Sequence, residues 1–284
     1  MFPNGVQHAT MAPEWTQLII PHGPNFADIF SAIFNLSKLQ TFGLRTNKTT
    51  SASGEINVPF IFDFRYLLFI APALILGMIA QLWLRSAYAK AMKQVAPLSG
   101  AAAARHILDS AGLHNVSIER VPGQLSDHYD PRAKVLRLSQ DVYSERTAAA
   151  VGIAAHEAGH AIQDARHYMP LIIRNLAVPA ASFGSNAGII LLILGIVFRF
   201  DMLLYAGIAL FSCVVFFQLI NLPVEFDASS RAKAILVDLN IVPREEMPAV
   251  RNVLSAAALT YVAATLQSIM TLLYYLMIAS NRRD

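Results

Sequence analysis

Tyr66 to Leu84 reads "YLLFIAPALILGMIAQLWL", a run with no charge that is closed at its two ends by Arg65 and Arg85. As a helix it rises about 30 Å, the thickness of the hydrocarbon core of a bilayer. A backbone in that medium has to satisfy its own N–H and C=O groups, so the run is read as a membrane-spanning helix. Three more blocks have the same character, at about 177–198, 202–220 and 253–279. Only "RFD", Arg199 to Asp201, separates the second from the third, which predicts a tight antiparallel hairpin. The fourth carries Thr260, Gln267, Ser268 and Thr271, a polar face turned toward other helices. Of the 284 residues 55% are hydrophobic and 14% charged, against about 25% charged in a soluble domain. The expected fold class is mainly α, a multi-pass transmembrane helical protein of about four spans.

The net charge of +3 is read as the positive-inside bias of a membrane protein and not as a nucleic-acid surface. Residues 85–175 carry eleven Lys or Arg against eight Asp or Glu, with Arg85, Lys90 and Lys93 just beyond the first span. That places the segment in the cytoplasm and the chain in the plasma membrane, although Arg282 and Arg283 oppose this orientation. The single cysteine, Cys213, lies in the third span and leaves no disulfide framework and no cysteine nucleophile.

Residues 1–60 show no clear period and are read as an N-terminal extension of loop or disorder, without the form of a signal peptide. Residues 61–284 make up the main domain. Between the first two spans, 85–175 form a water-exposed module. In it, "LSGAAAARHILDSAGL" predicts a helix capped by Ser99 and ended by Gly112. Val116–Val121 and Lys134–Ser139 predict strands on either side of the turn-rich "PGQLSDHYDPRA". Ser144 is expected to cap a long helix from Glu145 to about Ala165. After the third span, Asn221 and Pro223 signal the start of a separate helix over 221–240.

The long helix carries "AAHEAGHAIQDA". Positions i and i+4 share a helix face, so His156 and His160 present two imidazoles to one point. That is the geometry of two zinc ligands, with Glu157 placed to take a proton from a metal-bound water whose pKa the ion lowers to about 7. The alternative, two histidines in an apolar core, is costly, because two imidazoles and a carboxylate would be buried without partners. Ala155, Ala158, Gly159 and Ala161 leave room for another element to approach.

A hydrolytic zinc site takes a third protein ligand and keeps one position open. Glu225 qualifies, because two spans separate it from His160 and return the chain to the same face. His128 and His167 are also on that face; His167 is about two turns from His160, too far to close a tetrahedron. For the oxyanion that develops on a scissile carbonyl, His128, Tyr129 and Arg231 are the candidates. The first two are as readily shapers of the "SDHYDP" turn, and Arg231 a partner of Asp227 four residues earlier. Lys134–Ser139 is either an edge strand for an extended peptide or a paired structural strand.

"HEAGH" with "PVEFDASSRA" looks like a gluzincin-type metallopeptidase. "DHYDPRAKVLRLS", "AAHEAGHAIQDA" and "NLPVEFDASSRA", interleaved in order with the spans, resemble the YugP-like family of membrane zinc metallopeptidases over about 64–280. The resemblance implies a bacterial membrane protease with a small α+β zincin-like cytoplasmic module. It implies one Zn2+ per chain on His156, His160 and Glu225, with Glu157 as catalytic base. It also implies kinship with membrane peptidases whose third motif reads E-x-x-x-D. Here the position four after Glu225 is Ser229, and the nearest carboxylate, Asp227, is on another face, so a histidine-orienting carboxylate does not carry over.

The expected function is a membrane-embedded zinc endopeptidase acting on membrane-associated protein or peptide near the cytoplasmic surface. The rival readings are a membrane scaffold with a structural zinc and a protease that cuts within the bilayer. The first has no use for Glu157. The second fits poorly with a motif helix that follows a hydrophilic module and carries Glu145, Arg146 and Asp164.

Overall fold

The computed structural model describes residues 64–282; the N-terminal extension lies outside them. The expected class is met: four helices are long and apolar enough to cross a membrane, and they carry a small sheet-containing module, which makes the chain a mainly α membrane protein. In chain order the elements are α1 (Phe64–Ala91), α2 (Gly100–Ser110), β1 (Ser117–Val121), β2 (His128–Asp130), β3 (Val135–Ser139), α3 (Gln140–Ser144), α4 (Ala148–Ala165), α5 (Met169–Phe183), a π-type turn (Gly184–Gly188), α6 (Ile189–Val197), α7 (Asp201–Asp238) and α8 (Met247–Ser280).

The apolar helices pack antiparallel. α5, the π-type turn and α6 together form one spanning element that turns back into α7 through Arg199, at φ 51°. The hairpin closes tightly because a Cβ on Gly207 would stand 2.7 Å from the Leu192 amide nitrogen, so only glycine allows this approach. α1 lies along α8, joined near one end by the Tyr66 and Thr271 hydroxyls at 3.2 Å and near the other by Trp83 Nε1 donating to Asn252 Oδ1 at 2.9 Å. α8 meets α7 where Thr265 Oγ1 donates to the Gln218 carbonyl at 3.4 Å.

The module shares one core with the adjoining ends of α1, α7 and α8, where Ile107, Leu108, Leu136, Leu138, Val142 and Val151 are fully buried in a cluster that also holds Ala87, Leu236 and Val250. Each of the six module side chains contributes about 1.5–3 kcal/mol of burial. Ser99 caps α2 as expected, accepting from the Ala102 amide, and Gly112 takes the positive φ of 74° that ends the turn. The motif helix starts later than expected. Its cap is Thr147, whose side chain accepts from the Ala150 amide, and Ser144 instead closes the short α3. The cause is non-local: residues 145–147 stay extended because Ala96 N–H donates to the Arg146 carbonyl and Ala148 N–H to that of Gln94.

The turn-rich stretch contains a strand absent from the sequence reading. β2 pairs antiparallel with β3, which also pairs parallel with β1, in the order β1-β3-β2. β3 is therefore a paired central strand, and β1 and β2 are the two edge strands. The expected break at Asn221 and Pro223 is also absent, since α7 runs through both as one helix.

Candidate metal centre

α4 brings His156, Glu157 and His160 to one level, and α7 lays Glu225 against them. A Cβ on Gly159 would meet the Ala228 carbonyl oxygen at 2.9 Å, so this glycine sets how closely α7 approaches the histidine face. One ligand atom from each of His156, His160 and Glu225 lies within 4.8 Å of the others. Glu225 Oε2 is 3.2 Å from His156 Nε2 and 3.7 Å from His160 Nε2. Zinc bonds of about 2.1 Å in a tetrahedron put neighbouring ligand atoms about 3.4 Å apart, so the three atoms suit one ion.

The outer ring nitrogens are taken up. His156 Nδ1 faces Ser229 Oγ at 3.1 Å, and His160 Nδ1 faces Gln163 Oε1 at 3.0 Å. The position four after Glu225 thus faces a histidine, with a hydroxyl where the resemblance implied a carboxylate. Gln163 is fully buried, and its Nε2 donates to the Val224 carbonyl at 2.9 Å and to Asp227 Oδ2 at 2.8 Å. Asp227 reaches the histidines only through this amide, and it pairs with Arg231 Nε at 2.5 Å.

Glu157 is buried beside the cluster and accepts from the Tyr129 backbone N–H on β2. Burial is the main reason its carboxyl is pushed up to about 8 in the metal-free chain. His156 and the Tyr129 N–H oppose the shift, and the charges of Asp127 and Glu225 add to it. Asp127 is raised by its own burial while it accepts from Ser139 N–H at 2.7 Å. A dication on the adjacent histidines favours the Glu157 carboxylate.

The other candidate side chains face elsewhere. His128 Nδ1 meets the Ser126 carbonyl at 2.8 Å, the Tyr129 hydroxyl donates to Asp164 at 2.7 Å, and Arg231 lies over the Tyr168 ring. His167 sits past the end of α4 at φ 53°. Two residues not singled out from the sequence stand at the cluster instead. Arg174 Nη1 is 3.8 Å from Glu225 Oε1, and the Tyr261 hydroxyl hydrogen-bonds the same carboxylate. Arg174 carried a signal, being the single charge in 169–197. Gln163 carried one too, three residues after His160 on the same face.

The family model described as "Putative neutral zinc metallopeptidase" matches residues 66–280. The chain belongs to this family. Over 186 residues it is 48% identical to "Putative membrane protease YugP" of Bacillus subtilis (strain 168), covering 66% of this chain and 83% of that protein. No solved structure matches the chain. Membership in a zinc metallopeptidase family agrees with the donor set, two imidazoles and a carboxylate being a set that zinc takes.

Proposed function

We propose that the protein is a membrane-embedded zinc endopeptidase with its site on the cytoplasmic side, in which His156, His160 and Glu225 hold one zinc ion and Glu157 is the general base. The observation that carries this reading is the convergence of two Nε2 atoms and one carboxylate oxygen, with both Nδ1 atoms already engaged, beside a buried glutamate. Bound zinc supplies Lewis acidity, polarising the scissile carbonyl and lowering the pKa of water to about 7.

The rest falls to the chain's own groups. Glu157 takes a proton from the attacking water as its oxygen bonds to the carbonyl carbon. It returns that proton to the amine as the C–N bond breaks, and no acyl-enzyme forms. The Tyr129 N–H holds the carboxylate toward the cluster. Tyr261 and Arg174, bound to the Glu225 carboxylate, hold the third ligand and bring donors near developing negative charge. Gln163 and Ser229 fix the histidine rings.

The test is Glu157→Gln in detergent-purified protein with zinc counted by elemental mass spectrometry. The expected result is about one zinc retained and peptide cleavage reduced about 10²–10⁴-fold. Full activity in that variant refutes the assignment.

A further inference from the structure

The span formed by α5, the π-type turn and α6 turns an amide outward. Asn186 lies in the π-type turn and is exposed. Other side-chain amides between the two ends of the bundle, Asn175, Gln218, Asn221 and Gln267, are half-buried or buried.

Two measures give its depth. The span carries no charge between Arg174 and Arg199, and Asn186 is twelve residues from the first and thirteen from the second. At about 1.5 Å per residue those are about 18 and 20 Å, so the amide stands at the centre of the uncharged run. α7 supplies the second measure. Gly184 abuts the Leu210 carbonyl, and a Cβ on Gly188 would stand 3.2 Å from the Phe211 amide nitrogen, which sets Asn186 level with Leu210 and Phe211. These are nine and ten residues, about 14–15 Å, from the charged turn at Asp201. The hydrocarbon of a bilayer is about 30 Å thick. Both measures therefore put Asn186 in its middle third.

The fold itself leaves this amide short of partners. Asn186 Nδ2 donates to the Ser182 carbonyl at 3.0 Å, and Ser185 Oγ donates to the same carbonyl at 2.9 Å. The π-type turn thus has a donor for that carbonyl without Asn186. Among the described residues nothing donates to Asn186 Oδ1, and the second N–H of the amide has no acceptor. Such groups are costly to leave facing lipid, and at this depth neither water nor a headgroup reaches them. Around Asn186 the face is apolar: Phe183, Ile190, Ile193 and Val197 are exposed. With Asn186 they are spaced three, four, three and four residues apart, the pattern of a seam between two helices, in which one asparagine fixes register and partner number.

We propose that this face joins two copies of the chain, with the two Asn186 amides hydrogen-bonded to each other across a two-fold axis along the membrane normal. A second copy meets both requirements of the site. The amide is self-complementary, Nδ2–H of each copy donating to Oδ1 of the other. A copy inserted in the same sense also brings its own Asn186 to the same depth. The contact is independent of the peptidase reading.

Energy transfer in phosphatidylcholine vesicles tests this on the full-length chain, labelled with donor or acceptor dye at His106→Cys, an exposed position, in a Cys213→Ser background. Transfer is expected to follow a monomer–dimer curve as protein is diluted into lipid. Asn186→Leu is expected to weaken association about tenfold or more, and Asn186→Gln, which keeps the amide, to stay within about threefold of the parent. Equal helical circular dichroism in the three forms shows that folding is unchanged. Absence of concentration-dependent transfer in the parent, or equal association of parent and Asn186→Leu, overturns the proposal. A second readout keeps Asn186 in place. A benzophenone side chain at Ile190 is expected to capture a second copy on illumination, giving a product of twice the chain mass. Capture of lipid, or of residues 1–60 of the same chain, in place of that product overturns the contact.

Discussion

Replacing Gln163 by Leu tests whether the contacts behind the histidines shape the metal site. The amide makes three hydrogen bonds, the buried ones to His160 Nδ1 and the Val224 carbonyl and a half-buried one to Asp227. Loss of a partner that orients a metal-binding histidine costs 10–100-fold in affinity, about 1.4–2.7 kcal/mol at roughly 1.36 kcal/mol per decade. Leucine also leaves the Val224 carbonyl and the His160 Nδ1 proton buried and unpaired, at about 1–3 kcal/mol each. Zinc affinity by chelator competition and the Tm of the metal-free protein read the two effects separately. Ser229→Ala is the comparison, since it removes the His156 contact at 3.1 Å and orphans no backbone group. It is expected to weaken zinc binding with a smaller Tm change than Gln163→Leu. Binding within about threefold of wild type in both variants would refute the reasoning, because orientation of the rings is worth at least tenfold.

Other outcomes follow from geometry and charge. Gly159→Ala places a methyl group 2.9 Å from the Ala228 carbonyl oxygen, so α4 and α7 must part. Zinc content is expected to fall in a protein that still yields a helical circular dichroism spectrum. In the metal-free chain the Glu157 carboxyl, at about 8, stabilises the fold in its protonated form. That contribution is full below about pH 4.5 and is lost as pH rises through about 8. Thermal melts of metal-free Glu157→Gln are expected to gain on wild type across this window, and saturating zinc to remove the gain; equal pH profiles would contradict the burial argument.

What the sequence disclosed about the site was its locally encoded part. Two histidines and a glutamate at helical spacing specify one face, and counting membrane crossings was enough to put Glu225 on the same side. What stayed hidden depends on contacts between distant segments. The cap of α4 moved from Ser144 to Thr147 because residues 94–96 hold 145–147 extended, and nothing near Ser144 records that. β2 escaped because its three residues gain their strand character only by pairing with β3. Pro223 reads as a helix start on local rules, yet α7 continues through it. Tyr261 looked like one more aromatic residue in an apolar block, and its meeting with Glu225 is set by how α8 slides along α7.

The length of α7 has a mechanical consequence. Glu225 sits about 36 Å from Asp201 on one rod, so tilting that rod by one degree about its far end shifts the carboxylate by about 0.6 Å. Metal–ligand distances hold to about 0.2 Å. The far end is pinned: Arg282 donates to the Gly195 and Ile196 carbonyls and reaches Asp201 at 3.4 Å. This clasp, at the end of α7 remote from the histidines, acts as the fulcrum of a lever whose working end is the third ligand.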